Sequence, residues 1–160
     1  MSADMFLKIE GVEGESVDHK HAKEIDLLAW SWGMSQSGTM HMGGGGGAGK
    51  VAVQDVSITK YVDKSSPNLI QTCCTGRHYP SATLTVRKAG DKPVEYFVIK
   101  MTDVLITSVS TGGSGGEDRL TENVSLNFAK VEVIYTPQGK DGAAAAAVET
   151  GFDIEKNELV

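Results

Sequence analysis

A glycine-rich stretch has most of the spacing of a phosphate-binding loop. It reads Gly44-x4-Gly49-Lys50. That loop needs a serine or threonine after the lysine to hold magnesium, and its lysine opens a helix. Val51 stands at that position and a strand pattern follows it. The pattern therefore predicts a loop before a strand rather than a nucleotide site.

Ser114 lies within residues 112–116 and has the flanking glycines of a nucleophile elbow. An elbow needs a strand before it, a helix after it, and an acid and a histidine later in the chain. A strand pattern follows instead, and the last histidine is His78. We expect no serine hydrolase chemistry here.

His19 and His21, with Glu24 nearby, resemble the metal motif of cupin barrels. Two residues separate His21 from Glu24, where that motif has three or four, and a third histidine could come only from the isolated His41 or His78. Two histidines alternating at a strand edge are more often solvated. The sequence thus predicts no metal, no cofactor and no enzyme.

Charge and hydropathy exclude two further classes of partner. The 160 residues carry 15 basic and 21 acidic side chains, a net charge of −6, without a run of Lys or Arg. Nucleic-acid binders usually carry a basic patch, so no nucleic acid is expected. No stretch approaches the ~18 apolar residues of a membrane helix, so no membrane insertion is expected. The first ten residues lack the basic start and apolar run of a signal peptide, which predicts cytoplasmic assembly.

Alternation of apolar and polar residues predicts a mainly β protein. Strands are expected over residues 5–10, 24–34, 51–61, 81–88, 94–110, 119–135 and 151–160, with a bend or bulge near 101–103. One helix is expected, with Ser66 as N-cap, Pro67 at its first position and Gly76 closing it. Adjacent Cys73 and Cys74 cannot form a disulfide framework. Residues 1–160 are expected to form one domain, a closed barrel or sandwich of seven or eight strands.

The pattern also indicates which strand faces point toward the core, which point away from it, and which loop is too long for a simple turn. Trp30 and Trp32 share a face that we expect to be core, so Ser31 points away from it. Residues 81–87 and 121–127 each present a polar face on the side opposite their apolar residues. Residues 38–50 are too long and too glycine-rich for a simple turn, which indicates a functional loop.

Four stretches of this strand series resemble the Hcp family, the inner-tube proteins of type VI secretion systems. They are residues 5–16; residues 25–34, ending Trp30-Ser31-Trp32-Gly33-Met34; residues 112–135, containing Glu122-Asn123-Val124-Ser125-Leu126-Asn127-Phe128; and residues 151–157. Phe152 stands where the family often has tryptophan, and the glycine tract 43–47 varies. Together the stretches span residues 5–157 in the family's order.

The resemblance implies a tail-tube-like fold, a compact antiparallel β-barrel of two sheets with one short flanking α-helix. It implies a homohexameric ring with a wide lumen, and rings stacked head to tail. It also implies a contractile sheath around the tube, a trimeric spike at its tip, effector proteins carried in the lumen, and secretion without a signal peptide.

Two sets of candidate site residues follow. Ser31 is a candidate lumen and cargo contact, and the polar faces of residues 81–87 and 121–127 are candidates for the lumen or the outer wall. The contact between rings or subunits is expected from the loop formed by Thr39, Met40, His41, Met42, Gly43, Gly44, Gly45, Gly46 and Gly47. A phage or prophage tail-tube protein is the nearest alternative function. A small-molecule or carbohydrate-binding β-barrel is a more distant one, because only ten aromatic residues are present.

Overall fold

The computed structural model describes residues 3–38, 50–90 and 93–160. Antiparallel strands dominate it and one helix, α1, flanks them. The elements in chain order are β1 (Ala3–Ile9), β2 (Ile25–Asp26), β3 (Ala29–Ser31), β4 (Met34–Gln36), β5 (Val51–Val53), β6 (Val56–Tyr61), α1 (Ser66–Thr75), β7 (His78–Lys88), β8 (Glu95–Gly112), β9 (Thr121–Tyr135), β10 (Val148–Asp153) and β11 (Glu158–Leu159).

The main sheet has the order β11-β10-β9-β8-β7-β1-β2. Strand β9 is long enough to have two neighbours along one edge. Strand β6 pairs with its first half, from Tyr61↔Thr121 to Val56↔Leu126, and β10 pairs with its second half. Strand β3 pairs with β6, so the sheet branches at β9. Strands β4 and β5 form a separate two-stranded sheet.

The sheet curls around the core but is not closed, so the expectation of a closed barrel is wrong, while the antiparallel two-sheet class with one helix is confirmed. Residues 25–31 pair first with β1 and then with β6. Between them the Leu27 amide donates to the Met5 carbonyl (3.0 Å) and the Leu28 amide to the Thr59 carbonyl (2.8 Å). The segment thus crosses from one wall to the other instead of extending a single ladder.

Alternation along the strands fills the core as the sequence predicts. Val124, Leu126 and Phe128 on β9 are buried, as are Ala82, Leu84 and Val86 on β7. Two residues depart from the sequence pattern, which predicts Leu120 on the same buried face as Val124, Leu126 and Phe128, and Ala52 on the same face as Val56 and Ile58. Leu120 precedes β9 and is half-exposed, and Ala52 is exposed because the chain breaks at residues 54–55 between β5 and β6.

The predicted bend in β8 is confirmed. Asp103 has a φ of 57°, and the pairing of β8 skips this residue on both sides. The predicted second strand, 24–34, is instead divided among β2, β3 and β4, and the predicted third strand between β5 and β6. The count is therefore eleven strands in the described part, rather than seven or eight.

Helix α1 begins one residue earlier than its predicted cap implied. Ser65 occupies the N-cap position and Ser66 is the first helical residue, with Pro67 in the first turn. Gly76 ends the helix with a φ of 72°, and its amide donates to the Thr72 carbonyl at 2.9 Å. A left-handed residue at this position favours glycine. Leu69 anchors the helix to the core.

Candidate functional site

A row of four serines crosses β3, β6, β9 and β8 on the face opposite the core. The strand registers place Ser31 beside Ser57, Ser57 beside Ser125, and Ser125 beside Ser108. Ser125 is half-buried and the other three are exposed. Because neighbouring strands lie about 4.8 Å apart, the row spans about 14 Å from its first strand to its fourth. We call this surface the hydroxyl face.

A second row on the hydroxyl face carries Ala29, Thr59, Asn123 and Ser110 in the same strand order. The Thr59 hydroxyl donates to the Asn123 side-chain carbonyl at 2.8 Å. These side chains are small and uncharged, so the face can form hydrogen bonds without attracting either sign of charge.

Asp55 places a carboxylate next to these rows, and both its oxygens accept hydrogen bonds. The Thr107 hydroxyl donates to one oxygen at 2.6 Å and the Asn127 amide to the other at 2.9 Å. Thr107 sits where the β8 register shifts between Ile106 and Ser108, which turns its side chain toward Asp55. A β-bulge re-aims side chains in this way.

The strands β3, β6, β9 and β8 form a four-strand unit. Its two outer edges are unpaired in the described part of the chain. Strand β3 pairs only with β6. Strand β7 follows β8 no further than His78↔Leu105, so residues 106–112 have β9 on one side and no strand on the other. Unpaired edges are templates for strands of another chain.

An apolar groove of about 400 Å³ lies on a different surface, where β4 and β5 meet β9, β10 and β11. Met34 and Leu159 are exposed on it by 51% and 76%. Its lining is Trp32, Met34, Val51, Val53, Val131, Val133, Thr150, Gly151, Phe152 and Leu159. Apolar surface of this kind usually marks an interaction site.

A buried ion cluster ties α1 to the sheet. The Lys60 ammonium contacts the Glu122 carboxylate, and both side chains are fully buried. Lys60 also lies 3.0 Å from Asp63, and the Ser66 hydroxyl donates to Glu122 at 2.6 Å. These contacts hold the start of α1 against β6 and β9.

The ion cluster was missed by sequence reasoning, although a signal was present. Alternate residues of a strand share a face, so Lys60 lies on the same face as the apolar Val56 and Ile58. In the same way, Glu122 lies on the same face as the apolar Val124 and Leu126. An opposite charge on the apolar face of each of two strands predicts a buried pair. The register Lys60↔Glu122 brings them together.

A second ionic contact contradicts the polar wall expected over residues 81–87. Thr85 and Arg87 on that face of β7 are buried. Arg87 forms a bidentate pair with Asp18 (2.6 and 3.0 Å) and also reaches Asp4 at 3.1 Å. Hydrogen bonding to Arg87 is the main cause that holds the pKa of Asp18 well below its usual range.

The structure places Ser31 exposed at the end of the serine row, opposite half-buried Trp30 and Trp32. The loop proposed for contacts between subunits, Thr39 to Gly47, lies outside the described residues. His21 is buried between Glu24 and Glu95, whereas His19 is exposed. In residues 3–38, 50–90 and 93–160 no group of three His, Cys, Asp or Glu side chains is placed to hold a metal ion.

Lys50 is exposed and leads directly into β5. No helix follows Ser114 before β9 begins at Thr121. Neither glycine motif therefore has the strand-to-helix context that its catalytic counterpart needs. None of the helices formed by the described residues has the length and apolar character required to span a membrane.

Comparison with known proteins gives one consistent family. The model of the family described as "Type VI secretion system effector, Hcp" matches residues 6–135. The chain is 65% identical over 159 residues to protein hcp1 of Pseudomonas aeruginosa, covering 98% of each.

Solved structures agree. The crystal structure of Hcp1 from Salmonella typhimurium has a TM-score of 0.84 at 40% identity, covering 100% of both chains. A structure described as a type six secretion system protein has a TM-score of 0.94 at 28% identity, covering 99% of this chain and 100% of the other.

The open, curled antiparallel sheet with one flanking helix is thus the fold of type VI secretion tube proteins. The chain belongs to the Hcp family. Proteins of this family are secreted structural components of a tube, not enzymes, and they self-associate. The expectation that the chain is not an enzyme is confirmed on this ground.

Proposed function

We propose that six copies of this chain form a ring, and that the rings stack head to tail into the inner tube of a type VI secretion system. The observation that carries this proposal is that, in residues 3–38, 50–90 and 93–160, the four-strand unit has two edges without a strand partner. A ring of identical subunits needs a heterologous contact, in which one surface meets a different one. The β3 edge of one subunit and residues 106–112 of the next supply two such surfaces.

In this arrangement the hydroxyl face lines the lumen. Joining the edges makes the serine row of one subunit, from Ser31 to Ser108, continue into the row of its neighbour. Both rows are small, uncharged and hydrogen-bonding, and the Asp55 carboxylate beside them already accepts from Thr107 and Asn127, so this wall meets folded proteins mainly with neutral groups. Ser31 is then a cargo contact for effector proteins, and Ser31→Phe should reduce retention of a co-expressed effector while the ring remains intact. Loss of the ring itself would show that Ser31 is structural.

The apolar groove and the loop from Thr39 to Gly47 supply the remaining contacts between copies. The groove begins at β4 and β5, the two strands on either side of that loop. Covering Met34 and Leu159 with a second copy would remove exposed apolar surface from water. We assign the groove to the contact between subunits and the loop to the contact between subunits or rings.

The tube works with partners that the family context implies. Subunits assemble in the cytoplasm, a contractile sheath surrounds the tube, and a trimeric spike closes its tip. Contraction drives the tube, with effectors in its lumen, out of the cell, so export does not depend on a signal peptide.

Paired cysteines test the edge contact. Ala29 and Ser110 lie at opposite ends of one row, three strand spacings or about 14 Å apart. A disulfide needs Cα atoms within about 7 Å, so the two positions cannot be bridged within one subunit. With Cys73 and Cys74 replaced by serine, the double variant Ala29→Cys/Ser110→Cys should give an oxidised ladder up to six subunits.

The single variants Ala29→Cys and Ser110→Cys are the matched controls and should form no ladder. A double variant that stays at the monomer position after oxidation would contradict the β3-to-β8 contact.

A further inference from the structure

Residues 10–24 leave the sheet between β1 and β2 and contain no strand or helix. We call them the excursion segment. Backbone hydrogen bonds close it on itself, from the Gly14 amide to the Lys23 carbonyl (2.7 Å) and from the Ser16 amide to the Glu24 carbonyl (3.0 Å). The segment thus has an ordered path, and what fastens it to the rest of the molecule decides how firmly it is held.

His21 is one of the residues that hold the excursion segment in place, and it is buried between two carboxylates. Its Nδ1 lies 2.9 Å from Glu24 Oε2 within the segment, and its Nε2 lies 2.6 Å from Glu95 Oε1 on β8. The imidazole stacks on Phe6 of β1, with ring centroids 4.3 Å apart and planes 12° from parallel. The stack fixes the plane of the imidazole, and both carboxylates lie within hydrogen-bond distance of its nitrogens.

These contacts define a protonation state. An ionised carboxylate only accepts hydrogen bonds, and a neutral imidazole has one donor nitrogen and one acceptor. Both contacts are hydrogen bonds only when both ring nitrogens carry a proton. In the neutral ring, one nitrogen lone pair would face a carboxylate oxygen.

Other charged groups surround this contact. Asp18 accepts from the His21 amide at 3.2 Å and pairs with Arg87 of β7, whose guanidinium lies 5.1 Å from the Phe6 ring centre. Asp4 of β1 also pairs with Arg87. Asp26 of β2 has its pKa raised, chiefly by burial and also by the carboxylates of Asp63, Asp18 and Asp4.

We propose that His21 links the excursion segment to β8 and that this link depends on the protonation of the ring. We call this contact the pin. The doubly protonated ring bridges Glu24 and Glu95. Loss of one proton breaks one of the two bonds and loosens the segment. The stabilisation is present while both ring nitrogens carry a proton and is lost with either one. Histidine is the side chain that ordinarily changes charge between about pH 5 and pH 8.

Hydrogen exchange of the full-length assembled protein at about pH 5 and about pH 8 tests the pin. After correction for the intrinsic pH dependence of exchange, amides of residues 10–24 should lose protection about tenfold at the higher pH, the scale of one charge-assisted hydrogen bond. Amides of the β8–β9 ladder serve as the internal reference and should not change.

Three variants separate the pin from other titrations. The amide introduced by Glu95→Gln can donate or accept, so a neutral His21 satisfies both partners and the segment should stay protected at both pH values. His21→Gln should expose the segment at both. His78→Gln, at the exposed histidine that pairs with Asp103, should keep the wild-type change. Asp26 is present in all three variants, so a change that it causes would persist in Glu95→Gln and be distinguished from the pin.

Equal protection of wild-type residues 10–24 at both pH values would overturn the proposal. The same tenfold change in Glu95→Gln as in the wild type would overturn it as well, because the change would then come from another group.

Discussion

Lys60 and Glu122 show what a single buried contact contributes to this fold. Taking two charges out of water is costly, and their attraction offsets that cost only when hydrogen bonds complete the site. Ser66 and Asp63 provide such bonds, although one oxygen of Glu122 has no partner in the described structure. The cluster therefore specifies where α1 begins more than it adds net stability.

Removing one partner of this pair leaves the other charge buried and unpaired. We expect Lys60→Met to lower the free energy of unfolding by about 3–5 kcal/mol. Urea denaturation at fixed subunit concentration measures it. Lys64→Met is the matched control, because Lys64 is exposed and its pair with Glu13 is worth at most about 1 kcal/mol. A loss in Lys60→Met no larger than in the control would contradict the buried pair.

The contact between Asp18 and Arg87 makes stability depend on pH in the acid range. The folded-state pKa of Asp18 is lowered, first by its hydrogen bond to Arg87. A group of this kind stabilises the fold above its unfolded pKa, about 3.9 for aspartate, and that contribution disappears as the pH falls toward the folded value. Asp18→Asn should therefore lower the unfolding midpoint at neutral pH, and the difference from wild type should shrink in acid.

Thermal unfolding from about pH 7 down to about pH 3 measures this dependence. Asp153→Asn is a suitable control, since the Asp153 carboxylate accepts a hydrogen bond from the nearby Lys156 amide and has no arginine partner among the described residues. A constant difference between Asp18→Asn and wild type across the acid range would contradict the account.

At the scale of helices and strands, the sequence predicts the features that depend on local pattern, such as buried strand faces and bends. Alternation along β9 predicted its buried face at Val124, Leu126 and Phe128. A bend was foreseen where Asp103 adopts a positive φ. The breaks at residues 27–28 and 54–55 were not foreseen, because they arise where the chain changes partners, and pairing partners distant in the chain leave no periodic signal.

The residues of the candidate site divide in the same way, into those that the local pattern predicts and those that depend on pairing with distant strands. Ser31 was identified as outward-facing from its place between two tryptophans. The rest of the serine row was not foreseen, because Ser57, Ser125 and Ser108 become neighbours only through strand registers. The bulge at Thr107 moves Ser108 into that row and shows no local sequence signal.

Gly14 tests how tightly the excursion segment closes. A Cβ built there would lie 2.4 Å from the Glu24 carbonyl oxygen, which is backbone and cannot move aside cheaply. Gly14→Ala should lower the free energy of unfolding by about 1–3 kcal/mol, as overpacking does. A Cβ at Gly38 would meet no atom of the described residues within 4 Å, so Gly38→Ala should be close to neutral. Equal chemical denaturation midpoints for the two variants would contradict the described path of residues 10–24.

At the scale of the whole molecule, the surface is incomplete in two ways. Among the described residues, the unit formed by β3, β6, β9 and β8 has unpaired edges, and the apolar groove exposes Met34 and Leu159. A second copy that joins the edges and covers the groove satisfies both. The same sheet that forms the core of one subunit would then form the wall of a channel, with its hydroxyl face inward.

The solution mass of the purified chain, by size-exclusion chromatography with light scattering, tests the ring most directly. A subunit has a mass of 17.0 kDa, so a ring of six has a mass of about 102 kDa. We expect that species, seen as rings by negative-stain microscopy, with Leu159→Asp shifting it toward monomer and Ile70→Asp, on the exposed side of α1, leaving it intact. A strict monomer at every concentration would contradict the account.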